Sequence, residues 1–354
     1  MSKFLNEKIG KITPYVPGEQ PKQRKYIKLN TNESPYPPTK LGVKMASEEA
    51  ENCYLYSDPE CSELTALVAD SLGVKSNQVI LTNGSDEVLN FAFMAYCDKN
   101  TPAVFADITY GFYKVFASLN GVPSKVIPLK EDFSIDIDQF INTFGTLFIA
   151  NPNAPTGIAL PLEEIERIVS SNLDRVVVID EAYVDFGAQS AVSLIDKYDN
   201  LLVTQTFSKS RSLAGARLGF GVGNEKLIAD LMTIKYSTNP YNVNRMTLGL
   251  GKGAILDKEY FNENCKKIIE DREFTIEKLK ELGFTLTDSK ANFVFAKSDK
   301  IDGNSLYQKL KDKGILVRHF NDQRIKDYNR ITIGSHEQMQ AFIQAVKQIL
   351  EEEK

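Results

Sequence analysis

The stretch QTFSKSRSLAGARLGF, Gln205 to Phe220, places one lysine between hydroxyl residues and two arginines after it. Thr206, Ser208, Lys209, Arg211 and Arg217 crowd together just behind an apolar run. A deprotonated amine can attack a carbonyl, and hydroxyls with a guanidinium can hold a phosphate. The stretch is therefore either a basic surface segment or a lysine nucleophile beside a phosphate cradle. Similar polar groups recur wherever an apolar run ends: Gly84-Ser85-Asp86, Tyr110, Asn151 with Asn153, and Asp180 with Tyr183. Taken singly, each has a structural explanation, since Asp and Ser cap helices and Pro and Gly make turns.

The elements that carry these ends follow a pattern. From about residue 65, helical periodicity alternates with short apolar runs. NQVILTNGSDEVLNFAF and TPAVFADITYGFYKVFASL read as strand, turn, helix, as does GTLFIANPNAPTG followed by LPLEEIERIVSS. DRVVVIDEAYVDF and NLLVTQTFSKS are strands running into polar turns. Continuous apolar runs indicate strands buried on both faces, so the expected fold class is α/β, a mainly parallel sheet between helices. Such sheets collect ligands at the C-terminal ends of their strands.

Near residue 245 the pattern changes to a long amphipathic helix closed by Gly283. Strand-like FTLTDSKANFVFAK, helical NSLYQKLKDKG, strands ILVRHF and RITIG and a last helix from about His336 complete a smaller α+β domain. The expected organisation is an N-terminal arm (1–28), a large domain (29–245) and a small domain (246–354). The arm, with LNTNESPYPP, is expected to drape over the mouth of the sheet.

Bulk properties exclude several classes. With 354 residues the chain can build two cores. A net charge of -5 disfavours general binding to nucleic acid or acidic membranes. The charged start MSKFLNEKIGKITPY lacks a signal-peptide core, and no apolar run reaches the ~18 residues of a membrane span. A cytoplasmic location is the expectation. The cysteines (Cys53, Cys61, Cys97, Cys265) form no CxxC pair and the histidines are only His319 and His336. No metal site or His-based triad is expected. GxGxxG and GxxxxGK[ST] signatures are missing, which argues against a nucleotide-binding regulatory protein without chemistry.

In sequence order, LNTNESPYPP, NGSDEVL, NPNAPTG, DEAYVDFG, TFSKSRSLAGARLGF and NRITIG resemble the fold-type-I aminotransferases that use pyridoxal 5′-phosphate (PLP). The resemblance spans nearly the whole chain and is strongest to the histidinol-phosphate branch. It implies amino transfer from a small-molecule donor, L-histidinol phosphate, to a 2-oxo acid, 2-oxoglutarate. An aromatic amino-acid aminotransferase, or a decarboxylase of a phosphorylated amino acid, is the alternative on the same scaffold.

The resemblance also implies roles. Lys209 would hold the cofactor's aldehyde as a Schiff base, and Asp180 would keep its pyridine nitrogen protonated. Glu181 points the other way along the strand and receives no role. Tyr183 would bond the phenolic oxygen and Tyr110 would stack on the ring. Backbone N–H groups of Ser85 and Asp86, with Thr206, Ser208 and Arg217, would grip the phosphate. Arg211 receives no role beyond a structural or solvated one.

Tyr56 would reach the phosphate in a neighbouring subunit, implying a homodimer with shared active sites; Ser57 stands where a proline usually follows that tyrosine. Ala154 stands where many relatives have an asparagine on the phenolic oxygen. Asn153 would take over that contact, or Tyr183 would carry it alone. On the substrate side the resemblance points to Tyr15, Asn32 and Arg330, with Arg318 as a second grip for an anion.

Overall fold

In the computed structural model, which describes residues 2–22 and 24–353, the apolar runs become strands. They are β1 (Ile27–Lys28), β2 (Val79–Thr82), β3 (Ala103–Ala106), β4 (Ser124–Ile127), β5 (Thr146–Ala150), β6 (Val177–Asp180), β7 (Leu201–Thr206) and β8 (Gly219–Gly223). A seven-stranded sheet runs in the order β2-β8-β7-β6-β5-β3-β4. β2, β3 and β5 to β8 are buried throughout, whereas edge strand β4 is mostly exposed. Apolar side chains cover both faces: Val104, Ile149 and Val203 pack on one core, Phe105, Phe148 and Val178 on another.

β3 to β7 pair in parallel, and β8 is antiparallel to both β2 and β7. GFGVG carries no strand signal in the sequence, because glycine weakens strands. Here glycine is required: a Cβ at Gly219 would collide with the backbone nitrogen of Ser85. β8 thus lies flush against the start of helix Ser85–Tyr96.

The small domain contains helix Lys258–Glu281, β9 (Phe284–Leu286), β10 (Phe293–Ser298), helix Gly303–Asp312, β11 (Ile315–Leu316), β12 (Arg318–His319), β13 (Tyr328–Thr332) and helix His336–Glu352. β12-β13-β10-β9 form an antiparallel sheet. ILVRHF, expected as one strand, divides: β11 pairs in parallel with β1 of the arm, and β12 with β13. Helix Arg245–Leu256 packs on helices Lys40–Ala50 and Ser62–Leu72, and Ala254 and Ile255 join the large-domain core. This helix follows residue 245 in sequence and packs against helices that precede it. Among the described residues no helix is long and apolar enough to cross a membrane.

Candidate active site

Strand alternation decides which carboxylate of Asp180-Glu181 faces the cleft. Asp180 shares a face with Val178 and meets helix Phe112–Asn120, where it accepts a hydrogen bond from the Tyr113 hydroxyl at 3.0 Å. The N–H of Ala182 donates to it at 3.3 Å. Glu181 turns away and accepts from the Ser190 hydroxyl (2.6 Å), the Ala191 N–H (2.6 Å) and the Gln205 amide (2.9 Å). Burial pushes Asp180 up to about 7, against the opposing hydrogen bond from Tyr113. Glu181 is likewise pushed to about 7 by burial, but its oxygens are consumed by structural partners. Tyr113 was not legible as a site residue: it sits in an apolar helix, and its only signal was lying three residues after Tyr110.

Helix Ser85–Tyr96 opens at Gly84 with φ 80, and Ser85 and Asp86 line the cleft. Arg217, itself left-handed (φ 54), lies over Gly84, where a Cβ would stand 2.7 Å from Nη2. Arg217 donates to Asp86 at 3.0 Å, and the Tyr110 hydroxyl donates to the same carboxylate at 2.7 Å. Thr206 accepts the N–H of Ser208 at 3.1 Å. The Ser208 hydroxyl is buried with no partner among the described residues. A buried orphan hydroxyl beside a helix N-terminus and a guanidinium is what an anion such as a phosphate would satisfy.

Lys209 follows β7 and reaches between two cavities. The inner one, about 120 Å³, contains Ser85, Asp86, Tyr110, Asp180, Tyr183, Ser208 and Arg217. The outer one, about 440 Å³, contains Tyr15, Asn32, Arg318 and Arg330, and Lys209 and Tyr183 line both. Lys209 Nζ donates to the carbonyl of Thr31 at 3.3 Å and lies 5.7 Å from the centre of the Tyr183 ring. Tyr15 packs on Phe112, with ring centres 4.4 Å apart.

Arg318 and Arg330 are direct cross-strand partners. Arg330 donates to the carbonyl of Asn30 at 3.0 Å and rests 5.4 Å over the Phe293 ring, while its Nε is buried without a partner. Burial holds its pKa below the usual arginine value, and Arg318 acts in the same direction. Arg318 donates to the carbonyls of Pro17 (3.3 Å) and Val16 (3.2 Å) in the arm. Neither arginine forms an ion pair among the described residues. Like charges on paired positions repel until an anion joins them.

Asn153, Tyr56 and Arg211 lie outside the inner cavity. Asn153 gives its amide N–H groups to the Ile108 carbonyl and the Thr156 hydroxyl, both at 3.0 Å, and accepts from Thr109 at 2.8 Å. It holds a turn and does not line the inner cavity; Ala154 does. Tyr56 is 78% exposed, stacks on Tyr241 and borders neither cavity. Arg211 is structural: it packs 4.2 Å over the Phe261 ring and donates to the Ala254 carbonyl at 3.2 Å.

Residues 24–346 match the family model described as aminotransferase class I and II. The chain belongs to this family. It is 51% identical over 353 residues to the histidinol-phosphate aminotransferase of Brachyspira hyodysenteriae, covering 99% of each chain. It is 47% identical over 351 residues to that of Clostridium acetobutylicum, covering 99% of this chain and 100% of the relative. A solved structure, histidinol-phosphate aminotransferase from Sinorhizobium meliloti in complex with pyridoxal-5′-phosphate, superimposes with a TM-score of 0.90 at 21% identity over 99% of both chains. The protein is a PLP-dependent aminotransferase of fold type I. The orphan Ser208 hydroxyl, the open cradle at Gly84 and the buried Asp180 fit that cofactor's phosphate and ring nitrogen.

Proposed function

We propose that this aminotransferase moves the amino group of L-histidinol phosphate to 2-oxoglutarate, the two substrates using one site in turn. The observation that carries this reading is the pair Arg318–Arg330, two guanidiniums opposed across β12 and β13, neither in a salt bridge among the described residues. Two forks suit a phosphate monoester, and either alone can hold a carboxylate. The relatives at 51% and 47% identity support the same substrate class.

Bound PLP supplies an electron sink that eases loss of the substrate's Cα proton. Lys209 would hold the aldehyde through Nζ, and its free amine would serve as the base that carries the substrate's proton. Asp180 would hold the ring-nitrogen proton, and the Tyr113 hydroxyl would keep its carboxyl in place. Tyr110 covers the ring, with its hydroxyl tied to Asp86. The N–H groups of Ser85 and Asp86, the hydroxyls of Ser208 and Thr206, and Arg217 grip the phosphate. Tyr15 closes the outer cavity from the arm.

The assembly is a homodimer in this reading. Tyr54, Leu55, Tyr56 and Tyr241 expose 81%, 52%, 78% and 44% of their surface. A second copy covering that aromatic patch would carry each Tyr56 to the other's phosphate site. Amino transfer to 2-oxoglutarate from a panel of donors tests the substrate assignment. Histidinol phosphate should exceed phenylalanine and tyrosine in kcat/KM; the reverse order would transfer the function to an aromatic aminotransferase, and carbon dioxide release from a phosphorylated amino acid to a decarboxylase.

A further inference from the structure

A directed chain of hydrogen bonds runs through a buried cluster behind Tyr183. The backbone N–H of Asn32 donates to Thr332 Oγ1 at 2.9 Å, so this oxygen accepts there. The single hydroxyl hydrogen of Thr332 is then available to Asn32 Oδ1, also 2.9 Å away. The Asn32 amide sets Oδ1 toward Thr332 and Nδ2 toward the Tyr183 oxygen, at 2.9 Å. An amide nitrogen only donates, so the Tyr183 oxygen accepts and its own hydrogen points elsewhere. Tyr183 lines the inner cavity, where the neighbouring wall residue Ala154 has no side-chain donor to offer.

Asn32 is held for this task from every side. It is 1% exposed, its carbonyl accepts from the Asn292 amide at 3.0 Å, and its backbone is left-handed with φ 56. Asparagine and aspartate tolerate that conformation better than other side-chain-bearing residues. Thr332 sits two positions beyond Arg330 on β13, so the strand carrying the anion-binding arginine also sets the polarity of the cluster.

We propose that Asn32, oriented by Thr332, is a positioning residue that aims the Tyr183 phenolic hydrogen at the cofactor's phenolic oxygen, rather than a direct substrate contact. A hydrogen bond donated there draws charge from that oxygen. The oxygen then holds less firmly the proton on the nitrogen joining Lys209 to the cofactor. Losing the donated bond raises the pH at which that proton leaves.

Asn32→Asp reverses the cluster with little change of shape. It keeps the left-handed backbone, but its carboxylate only accepts, so the Tyr183 hydrogen turns toward it and away from the cavity. The readout is the pH midpoint of the visible absorbance of the PLP-loaded protein, with circular dichroism confirming the fold. Tyr183→Phe and Asn32→Asp should each raise the midpoint by about one to two pH units. The double variant should rise no further than Tyr183→Phe. Thr332→Val, which keeps the side-chain shape, should shift it in the same direction and serves if Asn32→Asp does not fold. A wild-type midpoint in Asn32→Asp, or in Tyr183→Phe, overturns the proposal. So does an added rise from Asn32→Asp on the Tyr183→Phe background, which would mark the aspartate as acting by its charge and not through Tyr183.

Discussion

At the scale of single residues, Asp180 shows how one carboxyl can oppose stability and serve chemistry. Without cofactor it keeps its proton up to about pH 7 because burial disfavours the anion. The unfolded chain releases the same proton near the ordinary aspartate value, about 4. The folded state therefore binds more protons between those values, and stability falls as pH rises through the window. Asp180→Asn cannot titrate, so the cofactor-stripped variant should match wild type near pH 4 and unfold at a higher temperature by pH 8. The gap should be about 4 kcal/mol at most. A gap that stays flat or runs the other way would show that Asp180 is not the burdened group. With PLP bound the same substitution should cost several powers of ten in the proton-transfer step, the order one preorganised group supplies. Near-normal turnover would remove Asp180 from its role. Lys209→Ala should retain PLP through the phosphate contacts yet show no turnover, and borohydride on wild type should label Lys209 in peptide maps; label on another lysine refutes the assignment.

At the scale of elements, the proposed substrate choice rests on the paired strands β12 and β13. Arg330→Ala should impair both half-reactions by roughly 10- to 150-fold in kcat/KM, the cost of a charge-assisted hydrogen bond. Arg330→Lys should not restore them, because a point charge lacks the planar fork. Arg318→Ala should slow histidinol phosphate more than glutamate, since only the phosphate uses both forks. Single-turnover rates for each donor decide this, and equal losses reject the division of labour. The two arginines were legible in ILVRHF and RITIG, but their pairing was not, because register is set by chain partners far away in sequence. The break of ILVRHF into β11 and β12 was hidden for the same reason. β8 was hidden by its glycines, whose reason is the close approach of Ser85. What could be read was whatever depends on neighbours in sequence: the apolar runs of β3, β5, β6 and β7, the polar residues at their ends, and Lys209 after β7. Tyr113 and the true attachment of Asn153 depend on which helix lies over which strand, and the sequence carries no mark of that.

At the scale of the whole molecule, the exposed Tyr56 sets a test of sharing. Tyr56→Ala and Lys209→Ala homodimers should both be poor catalysts. Mixed after unfolding and refolding together, half the dimers are hybrids, each with one intact site, and activity should recover to about a quarter of wild type. No recovery would mean that Tyr56 serves its own chain's site or none. The arm belongs to the same scale, because both domains hold it: β1 pairs with β11 and Arg318 reaches Pro17 and Val16, while Asn30 donates to the Glu19 carbonyl and Tyr15 packs on Phe112.

The pairing of β1 with β11 has a consequence for how the protein is made. A ribosome delivers β1 long before β11, so this strand waits through nearly three hundred residues for its partner. Until then Asn30 and Asn32 have no anchor on Thr332 or Arg330, although the lysine loop and the phosphate helix have already left the ribosome. The nascent large domain can close its own sheet but not its active site. Translation halted between Lys209 and Ile315 should therefore yield a chain with the lysine present and the outer cavity unbuilt, so amino transfer should begin only after Arg330 has emerged.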